Sequence, residues 1–194
     1  MGNPDAALRN WPANARRLAI VEQYRLNVIR CHRTLDAWCV PDVFYRDILG
    51  LGQPVVRKGV NGYHFVQVYE IPPTPAGELV QRFKRTLGLA TIRAHLADPQ
   101  RLVRRLGIAW GGVGLFANYY TTVQVLAEGV DMIVGGETDE CAAYFFAESG
   151  ADLVELGHQR SEIDGIGRLV PWLRPRLGVP VELHRATTPL QFIS

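Results

Sequence analysis

The spacing of apolar positions changes along this chain, and each change marks an element. Over residues 13–25, Leu18, Ala19 and Val21 alternate with Glu22 at helical spacing, which predicts a helix. The run Asn27-Val28-Ile29-Arg30-Cys31 predicts a short strand that delivers the chain to His32-Arg33-Thr34-Leu35-Asp36. A helix over about residues 42–49 follows, closed by Gly50 and Gly52. The β-rich run GYHFVQVYEI, residues 62–71, predicts a strand. Pro72, Pro73 and Pro75 are expected to break it, with Thr74 capping the next helix and Pro75 at its first position. Val80, Phe83 and Leu87 fall on one face of that helix, and Gly88 ends it. A second helix is expected to open at Asp98-Pro99, bury Leu102, Val103 and Leu106, and stop at Gly107.

The second half has a plainer rhythm. A strand over 108–110 runs into Gly111-Gly112-Val113-Gly114, then a helix to Glu128 with Gly129 beyond. A strand over 130–134 runs into Gly135-Gly136-Glu137, then a helix to about Glu148 with Gly150 beyond. A strand over 152–156 runs into Gly157-His158-Gln159-Arg160-Ser161-Glu162, then a helix to about Leu177 that Pro171 must kink or split. A strand over 179–184 is expected to close the series. Strands alternating with helices predict an α/β fold with a largely parallel sheet and right-handed crossovers. The seam between two lobes is placed near residues 72–106. That gives an N-terminal lobe with connector, 1–106, and a C-terminal α/β lobe, 107–194.

Composition narrows the class. With 47% hydrophobic and 21% charged residues among 194, disorder, collagen and coiled coil are out. The net charge of +2 is too balanced for nucleic-acid binding by electrostatics. Lys58 and Lys84 are the two lysines of 21 basic residues, a skew toward arginine that biased genome composition explains better than dedicated anion forks. Cys31, Cys39 and Cys141 lack CxxC spacing, which argues against a disulfide framework or zinc knuckle, and all three are expected to be buried. Residues 107–127 carry no charge, yet they hold four glycines with Asn118, Thr121, Thr122 and Gln124. A buried strand, a glycine loop and a helix fit that stretch better than a membrane span. The start carries no apolar secretory core. A reduced, cytoplasmic protein without a membrane partner is the expectation.

Ligands of open α/β sheets bind beyond the carboxyl ends of the strands, so the GGVG, GGE and GHQRSE loops are expected to share one edge. They bring Glu137, Asp139, Glu140, His158, Arg160 and Glu162 toward it, while His32 and Asp36 follow the expected strand in the first half. His158 and Glu162 stand four residues apart, about one helical turn, where an imidazole nitrogen and a carboxylate can ligate one divalent ion. The same spacing fits a plainer arrangement: Ser161 caps a helix, Glu162 favours its positive end, and His158 is a loop residue. Spacing alone leaves both open. The GGVG turn lacks a following Lys-Ser/Thr and fits a tight strand-to-helix turn better than a phosphate cradle. No nucleophile elbow is present, which disfavours a hydrolase triad. Trp110, Phe116, Tyr119 and Tyr120 are expected in the core or at subunit contacts.

At these residues the chain resembles the Nif-three-like proteins (NGG-one-interacting factor three), the GTP cyclohydrolase 1 type 2 homologues. The resemblance lies in Gly135-Gly136-Glu137 for the family's TGE-like turn, Gly157-His158-Gln159-Arg160-Ser161-Glu162 for GHxxSE, and His32-Arg33-Thr34-Leu35-Asp36 for HTNLD. It implies two related lobes with mainly parallel or mixed sheets flanked by helices, a dinuclear metal site between them, and assembly into rings, commonly hexamers. By position it implies Asp36 on one ion, His158 on the other and Glu162 bridging; His32, four residues before Asp36, and Glu137 are further candidate ligands from the residues themselves. This chain departs from the family in three places. No histidine occurs before His32, so the family's His-His-Pro segment has no counterpart. Arg33 stands where Thr is usual, and Gly136 replaces part of the TGE turn. The N-terminal lobe is therefore expected to be truncated, either because the natural start lies upstream or because part of the site is lost. One imidazole and two carboxylates suit Zn, Mn or Fe, which the residues do not distinguish. The strand-end loops and this ligand set lead to the expectation of a metal-dependent hydrolase of the Nif-three-like type acting on a nucleotide-like or small phosphorylated substrate. The alternative is a non-catalytic ring-forming or regulatory binding protein with a decayed site.

Overall fold

The computed structural model describes residues 8–60 and 63–186. The chain divides into two compact units, residues 1–32 and 33–194. In the first, α1 (Pro12–Gln23) has a proline in its first turn and buries none of its residues. The strand expected over 27–31 does not form: Val28 and Ile29 are largely exposed, and β-branched residues specify a strand only when a sheet receives them.

The second unit opens with α2 (Arg33–Pro41), so the segment read as a strand-end loop is helical. Pro41 has no N–H for the residue four back, and from Asp42 to Ile48 the helix widens into a π-helix. A hairpin of β1 (Val56–Val60) and β2 (Tyr63–Pro75) follows. The prolines do not break β2. The pairing with the strand Leu102–Ala109 shifts register between Glu70 and Thr74, and this irregularity absorbs the missing donors. Helix α3 (Ala76–Leu87) starts one residue after Pro75, without the expected Thr74 cap, buries Leu79, Val80, Phe83 and Leu87, and ends at left-handed Gly88.

After β3 (Arg93–His95), the expected second helix is instead β4 (Leu102–Ala109). Pairing on both sides decides this: β2 lies against one edge of β4 and the strand Met132–Gly135 against the other. The Asp131 carboxylate also accepts the backbone N–H groups of Arg104 and Arg105. The remainder runs α4 (Tyr119–Leu126), β5 (Met132–Gly135), α5 (Glu140–Glu148), β6 (Asp152–Glu155), α6 (His158–Gly167) and α7 (Leu169–Leu177). The expected long last helix divides at Arg168, three residues before Pro171. The strand expected over 179–184 is absent; β3 already occupies the sheet edge beside β6.

Among the described residues the sheet has six strands in the order β1-β2-β4-β5-β6-β3. Strands β4, β5 and β6 are parallel, and the other pairings are antiparallel, which gives a mixed α/β sheet flanked by helices. The core holds Phe44, Tyr45, Phe83, Leu106, Ile108, Trp110, Met132, Ile133 and Phe146, all fully buried. Helix α2 lies close on α6: a Cβ added at Gly165 would stand 2.6 Å from the Val40 Cα. Of the cysteines, Cys39 is buried, whereas Cys31 and Cys141 are exposed. No described helix is long and apolar enough to cross a membrane.

Candidate functional site

The parallel register sets Ala109, Gly135 and Glu155 side by side, so the loops after β4, β5 and β6 leave the sheet at one level. Their main chains are joined in series. Gly136 N–H donates to the Ala109 carbonyl at 2.8 Å, Glu137 N–H to Gly111 at 2.8 Å, and Gly157 N–H to Gly136 at 2.8 Å. Only glycine fits at 136, where a Cβ would lie 2.4 Å from the Gly111 nitrogen and 2.6 Å from its oxygen. Asp139 adds a side-chain link. It caps α5 through the Ala142 N–H and accepts the Phe116 N–H from the loop after β4.

Left-handed Gly157 turns the chain sharply from β6 into α6, whose first residue is His158. Ser161 is not the cap that a plain capping arrangement requires. It lies inside α6, fully buried, accepting the Gly111 N–H at 2.9 Å and donating to the His158 carbonyl at 2.8 Å. Ser161 therefore pins the start of α6 to the loop after β4.

Three side chains converge on this frame. His158 Nδ1 lies 2.7 Å from Glu137 Oε2, and its Nε2 lies 3.5 Å from Glu162 Oε2. The ring and Glu137 are each about half exposed, at 47% and 48%, and Glu162 is 18% exposed. The first contact is a hydrogen bond; the second is ion-pair distance. Glu162, opposed by partial burial and joined by Glu137, holds the His158 pKa up at about 9. The ring is thus an imidazolium at neutral pH in the metal-free protein. Gly111 forms the wall of the cluster: a Cβ there would stand 1.8 Å from Glu162 Oε1 and 3.3 Å from His158 Nε2.

Of the residues singled out from sequence, the structure brings Glu137, His158 and Glu162 together. Asp36 is 8% exposed in α2, the helix that packs on α6. His32 ends the first unit and is exposed. Sequence reasoning missed Tyr45. It is fully buried, donates its hydroxyl to the Val134 carbonyl at 3.1 Å, and has its pKa pushed up by burial, then by Tyr69 and Glu162. Nothing in its sequence context signals that role. Trp110 is also beneath the loops, stacked on Phe65 at 5.1 Å, with its indole N–H buried and unpartnered.

Two of these groups suit a divalent ion. Ligands about 2.1 Å from a tetrahedral ion stand roughly 3.4 Å apart, close to the Nε2–Oε2 separation. Among the described residues, no group of three or more His, Cys, Asp or Glu is arranged to hold one metal ion.

Parallel strands ending in linked glycine turns, with an imidazole and a carboxylate one helical turn apart, define an α/β protein with a strand-end site. The pattern of the DUF34/NIF3 family (NGG1p interacting factor 3) matches residues 5–189, and the chain belongs to that family. Among solved structures it is similar to ybgI, a protein of unknown function, with 22% identity and a TM-score of 0.71, covering 91% of this chain and 68% of that one. It is similar to TTHA1606 of Thermus thermophilus, with 21% identity and a TM-score of 0.60 over 90% of this chain and 67% of that one. Reduced HcgD of Methanocaldococcus jannaschii is 16% identical, with a TM-score of 0.61, over 84% of this chain and 63% of that one. These likenesses show the fold. The chain spans about two thirds of ybgI, and 35% of a Bacillus cereus protein related to NIF3. No curated protein matches it.

Proposed function

We propose that this NIF3-family chain binds a divalent ion through His158 and Glu162, with Asp36 as a further ligand, and hydrolyses a nucleotide-like or small phosphorylated substrate. The observation that carries the reading is the 3.5 Å separation of His158 Nε2 and Glu162 Oε2 at the shared strand end. The close packing of α2 on α6 supports a role for Asp36. A divalent ion held there supplies Lewis acidity and a more acidic water. The chain's own residues do the rest. Ser161 fixes the α6 start, the Gly111 backbone leaves room for the Glu162 carboxylate, and the linked glycine turns hold the loops at one level. A cytoplasmic, ring-forming homo-oligomer goes with this reading.

The test is zinc or manganese titration of protein purified without chelator, followed by a panel of nucleotides and phosphomonoesters. Near-stoichiometric binding lost in His158→Ala and Glu162→Ala, with metal-dependent turnover, is the expected result. Under a tenth of an equivalent bound would overturn it.

A second reading, a non-catalytic ring-forming or regulatory binding protein, is favoured by the lack of a three-residue ligand group among the described residues. It expects His158→Ala and Glu162→Ala to leave assembly and partner binding unchanged, as read by light scattering, with no turnover in any variant.

A further inference from the structure

Glu137 entered as a candidate ligand, but the geometry separates it from Glu162. The two carboxylates address opposite nitrogens of one ring: Glu137 Oε2 meets Nδ1 at 2.7 Å, and Glu162 Oε2 faces Nε2 at 3.5 Å. We infer that Glu137 is a positioning residue, which accepts the His158 Nδ1–H and so presents Nε2 toward Glu162 and the Gly111 wall. An imidazole has one nitrogen to offer an ion when the other carries the proton, and the acceptor on the protonated side fixes both tautomer and ring plane. The main chain of Glu137 is equipped to hold that acceptor still. Its N–H is bonded to the Gly111 carbonyl at 2.8 Å, and its neighbour Thr138 donates its N–H to Glu155 at 2.9 Å. A Cβ at Gly114 would stand 2.7 Å from the Glu137 carbonyl oxygen, so the loop after β4 packs directly on this residue.

The inference rests on the metal reading, and two measurements separate them. The first is zinc affinity by chelator competition for wild type, Glu137→Gln, Glu137→Ala and His158→Ala. Glu137→Ala is expected to bind 10–100-fold more weakly with stoichiometry unchanged. Glu137→Gln, whose amide oxygen still accepts the bond, is expected to stay close to wild type. A lower stoichiometry in Glu137→Ala would make it a ligand and overturn the inference, as would unchanged affinity. The second is the ring ¹⁵N–¹H spectrum of His158 in the metal-free protein. A resolved Nδ1–H signal is expected in wild type and Glu137→Gln and not in Glu137→Ala; an equal signal in Glu137→Ala overturns the inference. If wild type binds no zinc, the metal reading fails, and the spectrum alone decides the role of Glu137.

Discussion

Ser161 and Gly111 are fifty residues apart in sequence and joined by one buried hydrogen bond: the serine Oγ accepts the Gly111 N–H at 2.9 Å. The same oxygen donates to the His158 carbonyl, so one hydroxyl satisfies both neighbours. It ties the helix that carries His158 and Glu162 to the glycine turn that walls them.

Ser161→Ala leaves the Gly111 N–H buried without its acceptor. A destabilisation of about 1–3 kcal/mol is expected, the cost of an unsatisfied buried donor, and urea denaturation measures it. An unchanged midpoint and slope would show that the bond contributes nothing to folding.

Glycine substitutions at the two turns are expected to differ in severity. At Gly136 an added Cβ meets the backbone nitrogen and oxygen of Gly111, which cannot move aside. At Gly111 it meets the end of the Glu162 side chain, which can rotate away, although the residue's φ of +51° adds strain. Gly136→Ala should therefore lower the melting temperature more than Gly111→Ala. Gly111→Ala should weaken metal binding out of proportion to its effect on stability, because Glu162 is what it displaces. The reverse order of melting temperatures would contradict this account.

The charge cluster gives the stability of the metal-free protein a pH dependence with a definite sign. The His158 pKa is raised in the folded protein from about 6.5 to about 9, chiefly by Glu162 and then, against partial burial, by Glu137. Its contribution is complete below pH 6.5 and is lost as pH rises through 9. In chelator, the melting-temperature gap between wild type and His158→Ala is expected to narrow steadily from about pH 6.5 to about pH 9.5. A gap that widens with pH would reverse the assignment.

At Gly165, a side chain would push against the Val40 Cα at 2.6 Å and the Cys39 carbonyl at 3.0 Å. Gly165→Val is expected to cost about 1–3 kcal/mol by overpacking, read by urea denaturation. If Asp36 serves the metal, this distant change should also reduce zinc affinity, by moving α2 against α6.

The sequence by itself determined β5, β6 and the end of β4 as strands, the glycine turns that follow them, and the one-turn spacing of His158 and Glu162. Those features rest on local rules: apolar runs between glycines, loops at carboxyl strand ends, and the four-residue helical pitch. Tertiary structure decided the rest. Leu102, Val103 and Leu106 can satisfy a helix or a strand, and pairing with β2 and β5 made them a strand. Residues 179–184 had strand-forming side chains, but β3 had taken the edge beside β6. Asn27–Cys31 had the composition of a strand, yet none of the six strands of the sheet comes from it. Ser161 read equally well as a helix cap, and its bond to Gly111 exists only because three loops meet at one level. Which nitrogen of His158 faces which carboxylate was likewise beyond any spacing rule, since a ring's orientation is set by neighbours that the chain brings from three different strand ends.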